Sequence, residues 1–65
     1  MVVIHAISEH DLVSLRESVR GWPEGSTGTV VSDYGDAVLV EFSDSRGKTL
    51  DLVQVPVSKL EPVEP

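Results

Sequence analysis

The stretch TVVSDYGDAVLVEF, residues 29–42, decides the fold of this chain. Two runs rich in β-branched and aromatic residues flank the dipeptide Gly35-Asp36, which is typical of a tight hairpin turn. Residues of this kind fit a pleated, half-buried surface better than a helix. The stretch therefore predicts two antiparallel strands joined by a short turn.

The register of this hairpin depends on how many residues its loop contains. If the loop after Tyr34 has an even number, Val31 shares a face with the alternate residues of the second strand, Val38, Val40 and Phe42. If the number is odd, Val30 takes that place, because a shift of one residue moves every side chain to the other face. The residues alone leave both registers open.

Strand and turn signals continue after the hairpin. DSRG, residues 44–47, predicts a type I turn closed by a glycine at positive φ. KTLDLVQV, residues 48–55, predicts a strand that ends at Pro56, which has no N–H for a ladder. VSKL then allows one helical turn, and LEPV, residues 60–63, a short last edge strand.

Before the hairpin, DLVSLRESV (residues 11–19) supports two interpretations. As a strand it places Val13 and Leu15 on one face, and as a helix it aligns Leu12, Leu15 and Val19. Turn signals separate five short strands and leave no room for a crossover helix. The expected fold is all-β, a small five-stranded antiparallel barrel with one short helical turn near the C-terminus.

Length and composition limit how the domain can be stabilised. A single domain of 65 residues buries only about 60% of the surface of its unfolded chain. There is no cysteine, and the two histidines, His5 and His10, are too few for a zinc site without carboxylates. The sequence predicts no cofactor, metal or disulfide, so the fold relies on packed aliphatic side chains or on a partner.

The charge of the chain limits its partners. Eleven acidic and five basic residues give a formal net charge of −6. A field of this sign repels phosphate backbones and anionic membrane surfaces, which makes nucleic acid and membrane unexpected partners. It favours a basic protein partner, although charge retained for solubility is the simpler explanation.

The first residues, MVVIHAI, are apolar but too short to span a bilayer, and they lack the basic segment of a signal peptide. A cytoplasmic protein is therefore expected. Residues 1–9 form either an extra barrel strand or an exposed apolar extension. In the second case they could pair with a partner or with a second copy, which would give a homo-oligomer.

GWPEGSTGTVV, residues 21–31, has the glycines of a ligand-binding loop but not its chemistry. It lacks the lysine of a Walker A loop, and its Gly-x-x-Gly precedes a strand, whereas a KH-type clamp joins two helices. The stretch therefore predicts a turn that starts a strand. Its tryptophan, Trp22, either plugs the open end of the barrel or anchors a protein interface.

No other motif predicts catalysis or metal binding. SEHD, residues 8–11, holds serine, histidine and acid as sequence neighbours, whereas catalytic triads are assembled in space from rigid elements. The aspartates of the predicted turns suit turn chemistry better than a calcium loop. Trp22 and Tyr34 alone would make a poor groove for proline-rich peptides.

Taken together, these residues resemble a family of short bacterial proteins known as domain of unknown function 4926. The similarity rests on the order of Asp-Leu-Val, Pro-x-Gly-x-x-Gly-Thr-Val-Val, Val-Glu-Phe, Gly-Lys-Thr and Leu-x-Pro-Val. It implies an SH3-like barrel over residues 10–63, followed by a tail at 64–65, with a turn and strand similar to the ribosomal KOW motif. It favours Val30 as the core residue, and Trp22 departs from the aliphatic residue usual there.

The resemblance carries no catalytic residue, and it implies a partner that is toxin-like or nuclease-like and encoded nearby. We therefore expect a non-enzymatic protein-binding module, of the antitoxin or immunity type, for a basic cognate protein. Trp22 and Tyr34 are the expected anchors. The residues expected to steer the partner are acidic: Glu24, Asp33, Asp36, Glu41 and Asp44. The alternatives are a KOW-like RNA- or ribosome-associated module and an accessory subunit of a larger enzyme.

Overall fold

The computed structural model describes residues 7–63 of the chain. They form five antiparallel strands in one sheet with the order β4-β3-β2-β1-β5. A single 3-10 turn at Val57–Lys59 precedes the last strand. The strands are β1 (Leu12–Leu15), β2 (Thr27–Asp33), β3 (Ala37–Ser43), β4 (Thr49–Pro56) and β5 (Leu60–Pro62). The fold is the expected all-β, SH3-like barrel.

The segment with two interpretations is a strand. β1 pairs with β2 on one side and with β5 on the other, so its four residues complete hydrogen-bonded ladders on both edges. Val13 and Leu15 face the core, whereas Leu12, which the helical pattern would have buried, is exposed. The possible extra strand over residues 1–9 falls mainly on residues 1–6, which lie outside the described part, and residues 7–9 are not in a strand. Ile7 is buried in the core.

The core is aliphatic except for one aromatic ring. It fills the interior between the inward faces of all five strands and contains Ile7, Val13, Leu15, Val30, Val38, Val40, Phe42, Val53, Val55 and Leu60. β2 approaches β3 closely at Gly28, where an added Cβ would lie 2.6 Å from Val40 Cγ1 and 2.7 Å from the carbonyl oxygen of Glu41. Only glycine allows the two strands to meet at that distance.

The hairpin of β2 and β3 contains a β-bulge, which the number of loop residues does not predict. Tyr34 N–H donates to Ala37 O at 2.9 Å, so the turn holds two residues, Gly35 and Asp36. An even loop should place Val31 in the core. Instead Val30 pairs with Val40, while Ser32 pairs with Leu39, which leaves Val31 as the extra residue of a β-bulge. Because of this bulge, the prediction that an even loop places Val31 in the core is wrong. The prediction that Val30 faces the core is confirmed.

The bulge predicts opposite outcomes for the same substitution at two adjacent valines. Val30 is fully buried and Val31 is 36% exposed. Val30→Asp should abolish cooperative unfolding, because an unpaired charge inside the core costs several kcal/mol. Val31→Asp should change the free energy of unfolding by about 0.5 kcal/mol or less. Circular dichroism during urea unfolding measures both. Equal destabilisation would contradict the register.

A second hairpin, not expected from the sequence, lies between β1 and β2. Val19 and Trp22 exchange backbone hydrogen bonds of 2.9 and 2.8 Å, and the two residues between them have positive φ, 50° at Arg20 and 88° at Gly21. This is the pattern of a type I′ turn, which prefers Asn-Gly. Arginine in the left-handed region costs about 1–2 kcal/mol, so Arg20 is held there against its own preference.

This strain predicts that Arg20→Asn stabilises the protein. Asparagine tolerates the left-handed region and creates the favoured Asn-Gly turn, so the free energy of unfolding should rise by about 1 kcal/mol. Arg16→Asn is the matched control, because Arg16 is an exposed arginine with ordinary φ in the same loop. Urea unfolding measures both variants. An equal gain from the control would show that removal of charge, and not the turn, is responsible.

Candidate functional site

Trp22 covers one end of the barrel. Its ring stacks on Phe42, with ring centroids 4.5 Å apart and planes inclined by 15°. Its indole N–H donates to Asp51 Oδ2 at 3.0 Å. The residue is half-buried, so it closes the core over Phe42 and still presents part of its surface to solvent. The structure supports the interpretation that Trp22 plugs the end of the barrel, and the exposed part of its ring leaves surface for contact with a protein partner.

Asp51 holds this arrangement together. It lies directly opposite Phe42 in the pairing of β3 and β4, which places its carboxylate beside the stacked rings. Its second oxygen, Oδ1, accepts the N–H of Leu52 at 2.9 Å. Sequence analysis missed this residue. The available signal was the alternation of β4, which sets Asp51 on the same face as Val53 and Val55, where an acidic residue is unexpected.

A half-open depression of about 480 Å³ runs along β4, and Asp51, the hydrogen-bond partner of Trp22, is part of its lining. Its lining mixes both charges, an amide and aliphatic side chains. Leu52 is 52% exposed in this depression. Its side chain lies on the solvated face of the sheet and does not pack in the core. We call the surface formed by Trp22 and the lining residues the β4 rim; the lining residues are Arg20, Leu39, Asp51, Leu52, Val53 and Gln54.

Tyr34, the second expected anchor, lies at the opposite end of β3. It is 57% exposed at the tip of the β2–β3 hairpin. Asp33 and Asp36 share this tip, and Asp33 Oδ1 accepts the N–H of Gly35 at 2.8 Å. The seven residues of β3 separate this tip from Phe42 and its stacked partner by about 15–20 Å. The structure therefore does not bring Trp22 and Tyr34 together.

The remaining expected acids are dispersed. Glu41 is half-buried on the outer face of β3, where it accepts a hydrogen bond from the Thr49 hydroxyl. Asp44 Oδ1 accepts the N–H groups of Arg46 and Lys48, each at 2.9 Å, and so shapes the predicted type I turn, in which Gly47 has φ of 83°. Glu24 is exposed in the loop that follows Trp22. Asp33 and Asp44 thus have turn roles as well as charge.

The SEHD segment forms a turn. Asp11 Oδ2 accepts the N–H of Ser8 at 2.9 Å, and His10 has φ of 75°. Within residues 7–63 no three histidine or acidic side chains are grouped to hold a metal ion. Over the same residues no helix is long and apolar enough to cross a membrane.

Comparison with known proteins identifies a family without assigning an activity. A family model described as a domain of unknown function (DUF4926) matches residues 9–62. The chain has no significant match to a curated protein, and none to a solved structure.

The two bonds of Asp51 predict a measurable loosening of the β4 rim. Asp51→Ala removes both acceptors and should lower the free energy of unfolding by about 1 kcal/mol. It should also shift fluorescence to longer wavelength, because Trp22 is the single tryptophan and becomes more hydrated. Asp51→Asn keeps one acceptor oxygen for the two donors, so both properties should lie between those of the unaltered chain and Asp51→Ala. Unchanged emission in Asp51→Ala would contradict the role of this residue.

Proposed function

The chain belongs to the DUF4926 family, and from the surface that this member carries we propose that it is a non-enzymatic protein-binding module. One observation supports this most directly: Leu52 is 52% exposed in a depression that is also lined by Asp51, the acceptor of the Trp22 indole N–H. Tryptophan is enriched among interface hot spots, and the exposed leucine adds apolar surface in the depression that adjoins its carboxylate partner. The carboxylate beside them supplies a polar contact at its margin.

The charge of the chain indicates the chemistry of the partner. A net charge of −6 on a domain of this size attracts a basic surface and raises the rate of encounter with it. Acids lie at both ends of the barrel, so the field steers the partner while the β4 rim provides the desolvated contact. The steering residues proposed are Glu24, Asp33, Asp36, Glu41 and Asp44. Tyr34 would contact only a partner large enough to reach the hairpin tip.

The specific form we propose is an inhibitor of the antitoxin or immunity type that acts in the cytoplasm. A small acidic domain of this kind would act by covering a basic site on a cognate protein encoded nearby. Its rigid barrel would present the β4 rim without refolding, which keeps the entropic cost of binding low.

The distribution of basic residues does not favour an RNA-binding module. Arg16 and Arg20 lie in the β1–β2 connection, and Arg46 and Lys48 lie in the β3–β4 turn. Lys59 belongs to the 3-10 turn, where its Nζ is 3.8 Å from Glu17 Oε2. Acidic residues accompany each group, so the five bases do not form a continuous stripe along one strand. The role of accessory subunit differs from our proposal only in the identity of the partner.

Two leucines of equal exposure allow a matched test. Leu52 and Leu12 are 52% and 49% exposed at opposite ends of one cross-strand row on the outer face. With the product of the adjacent gene as partner, Leu52→Ser should raise the Kd at least tenfold, because burial of a leucine side chain in the contact contributes roughly 1.5–3 kcal/mol. Leu12→Ser and Tyr34→Ala should change it by less than about threefold. Isothermal titration calorimetry of the purified variants gives these values.

Salt dependence gives a second readout of the same proposal. Affinity for a basic partner should fall as ionic strength rises, mainly through a slower association rate. Failure of the full chain to bind the neighbouring product would contradict the cognate-inhibitor form. Equal losses from Leu52→Ser and Leu12→Ser would show that the β4 rim is not the contact surface.

A further inference from the structure

The two outer strands of the sheet differ in the hydrogen-bonding groups that they offer. At β5, Val63 N–H donates to Leu12 O, and the alternation of an antiparallel ladder then turns Leu60 and Pro62 away from β1. Leu60 N–H donates to Val57 O, and Pro62 has no N–H. The outward edge of β5 therefore has no backbone donor to give.

Over residues 52–56 of β4 the same argument leaves one outward backbone donor. Val57 N–H donates to Asp36 O, which continues the β3–β4 ladder and turns Leu52, Gln54 and Pro56 away from β3. Asp51 Oδ1 holds the N–H of Leu52, and Pro56 has none. Within residues 7–63, β4 has no strand on its other side, so Gln54 presents its N–H and C=O outward, together with the C=O of Leu52.

The side chains around this edge complement a cationic segment with an apolar residue. Backbone acceptors outnumber donors at this edge, and the carboxylate of Asp51 and, one strand inward, that of Glu41 add negative charge. Leu39 and Leu52 supply apolar surface in the depression. Arg20 is the one cation of the lining, and it is exposed.

We propose that the β4 edge binds an extended segment of the protein partner that carries lysine or arginine and adds as a short strand at Gln54. Strand addition obtains affinity from main-chain hydrogen bonds and specificity from alternate side chains. An apolar residue of the segment contacts Leu39 and Leu52, and a cationic residue meets Asp51. A second copy is a poorer occupant, because each copy carries a charge of −6. The inference rests on the proposed protein-binding function.

The test uses the full chain and a defined probe. The probe is a blocked decapeptide of alternating valine and lysine, and the control peptide alternates valine and glutamate. In amide NMR spectra the lysine peptide should shift resonances of residues 51–55, with an effect that fades at high salt. The glutamate peptide should bind at least tenfold more weakly.

Two pairs of variants separate the backbone contribution from the side chains. Gln54→Pro removes the outward N–H and should weaken peptide binding at least tenfold, whereas Gln54→Ala keeps this group and should change affinity by less than about threefold. If Gln54→Pro does not fold, Leu52→Arg places a cation at the edge without altering the backbone and should also weaken binding at least tenfold. Leu12→Arg, at the far end of the same outer row, should bind normally.

Several outcomes would overturn the inference. They are shifts centred away from β4, equal affinity for both peptides, and unaltered binding by Gln54→Pro or by Leu52→Arg. Shifts that depend on protein concentration without peptide would identify a second copy as the occupant. If the cognate protein binds Gln54→Pro as tightly as the unaltered chain, strand addition fails and the proposed function stands. If the peptide binds at β4 but no cognate protein binds the chain, the proposed function fails and strand addition at β4 stands.

Discussion

The bulge at Val31 is the constraint on which the rest of the structure depends. It changes the alignment of β2 against β3 by one residue, so that Val30 enters the core opposite Val40. This register brings Gly28 against the backbone of β3, where an added Cβ would lie 2.7 Å from the carbonyl oxygen of Glu41. A one-residue error at this point would exchange the inner and outer faces of β2, and the barrel would lose its continuous aliphatic interior.

The β4 rim is a consequence of that core and not an addition to its surface. Phe42 is the one aromatic ring among the core aliphatics, and it lies at the end of β3 where the barrel would otherwise open. Trp22 covers that ring, and Asp51, the neighbour of Phe42 across the ladder, fixes the indole. The strained turn at Arg20 delivers Trp22 to this position. Stability and the candidate contact surface therefore share the same few side chains.

Sequence analysis predicted more of the fold than of the candidate site, and the reason is physical. Gly35-Asp36 and Gly47 are local signals, because turn geometry depends on neighbouring residues, and both turns are present. The bulge, the strand nature of β1 and the pairing of Asp51 depend on which residues lie opposite one another, and periodicity does not carry that information. The turn at Arg20 was missed because its first position holds a residue that avoids the left-handed region.

The unequal edges of the sheet also determine what the chain can build with copies of itself. Open-ended polymers form when one outer strand of each molecule pairs with the other outer strand of the next, a heterologous contact that repeats without closing. β5 has no outward donor to contribute to such a contact, since one position is a proline and the other is bonded within its own turn. Among residues 7–63, β5 therefore offers only backbone carbonyl oxygens to such a contact, so the strand addition proposed for β4 has no matching backbone donor at the other edge of the sheet.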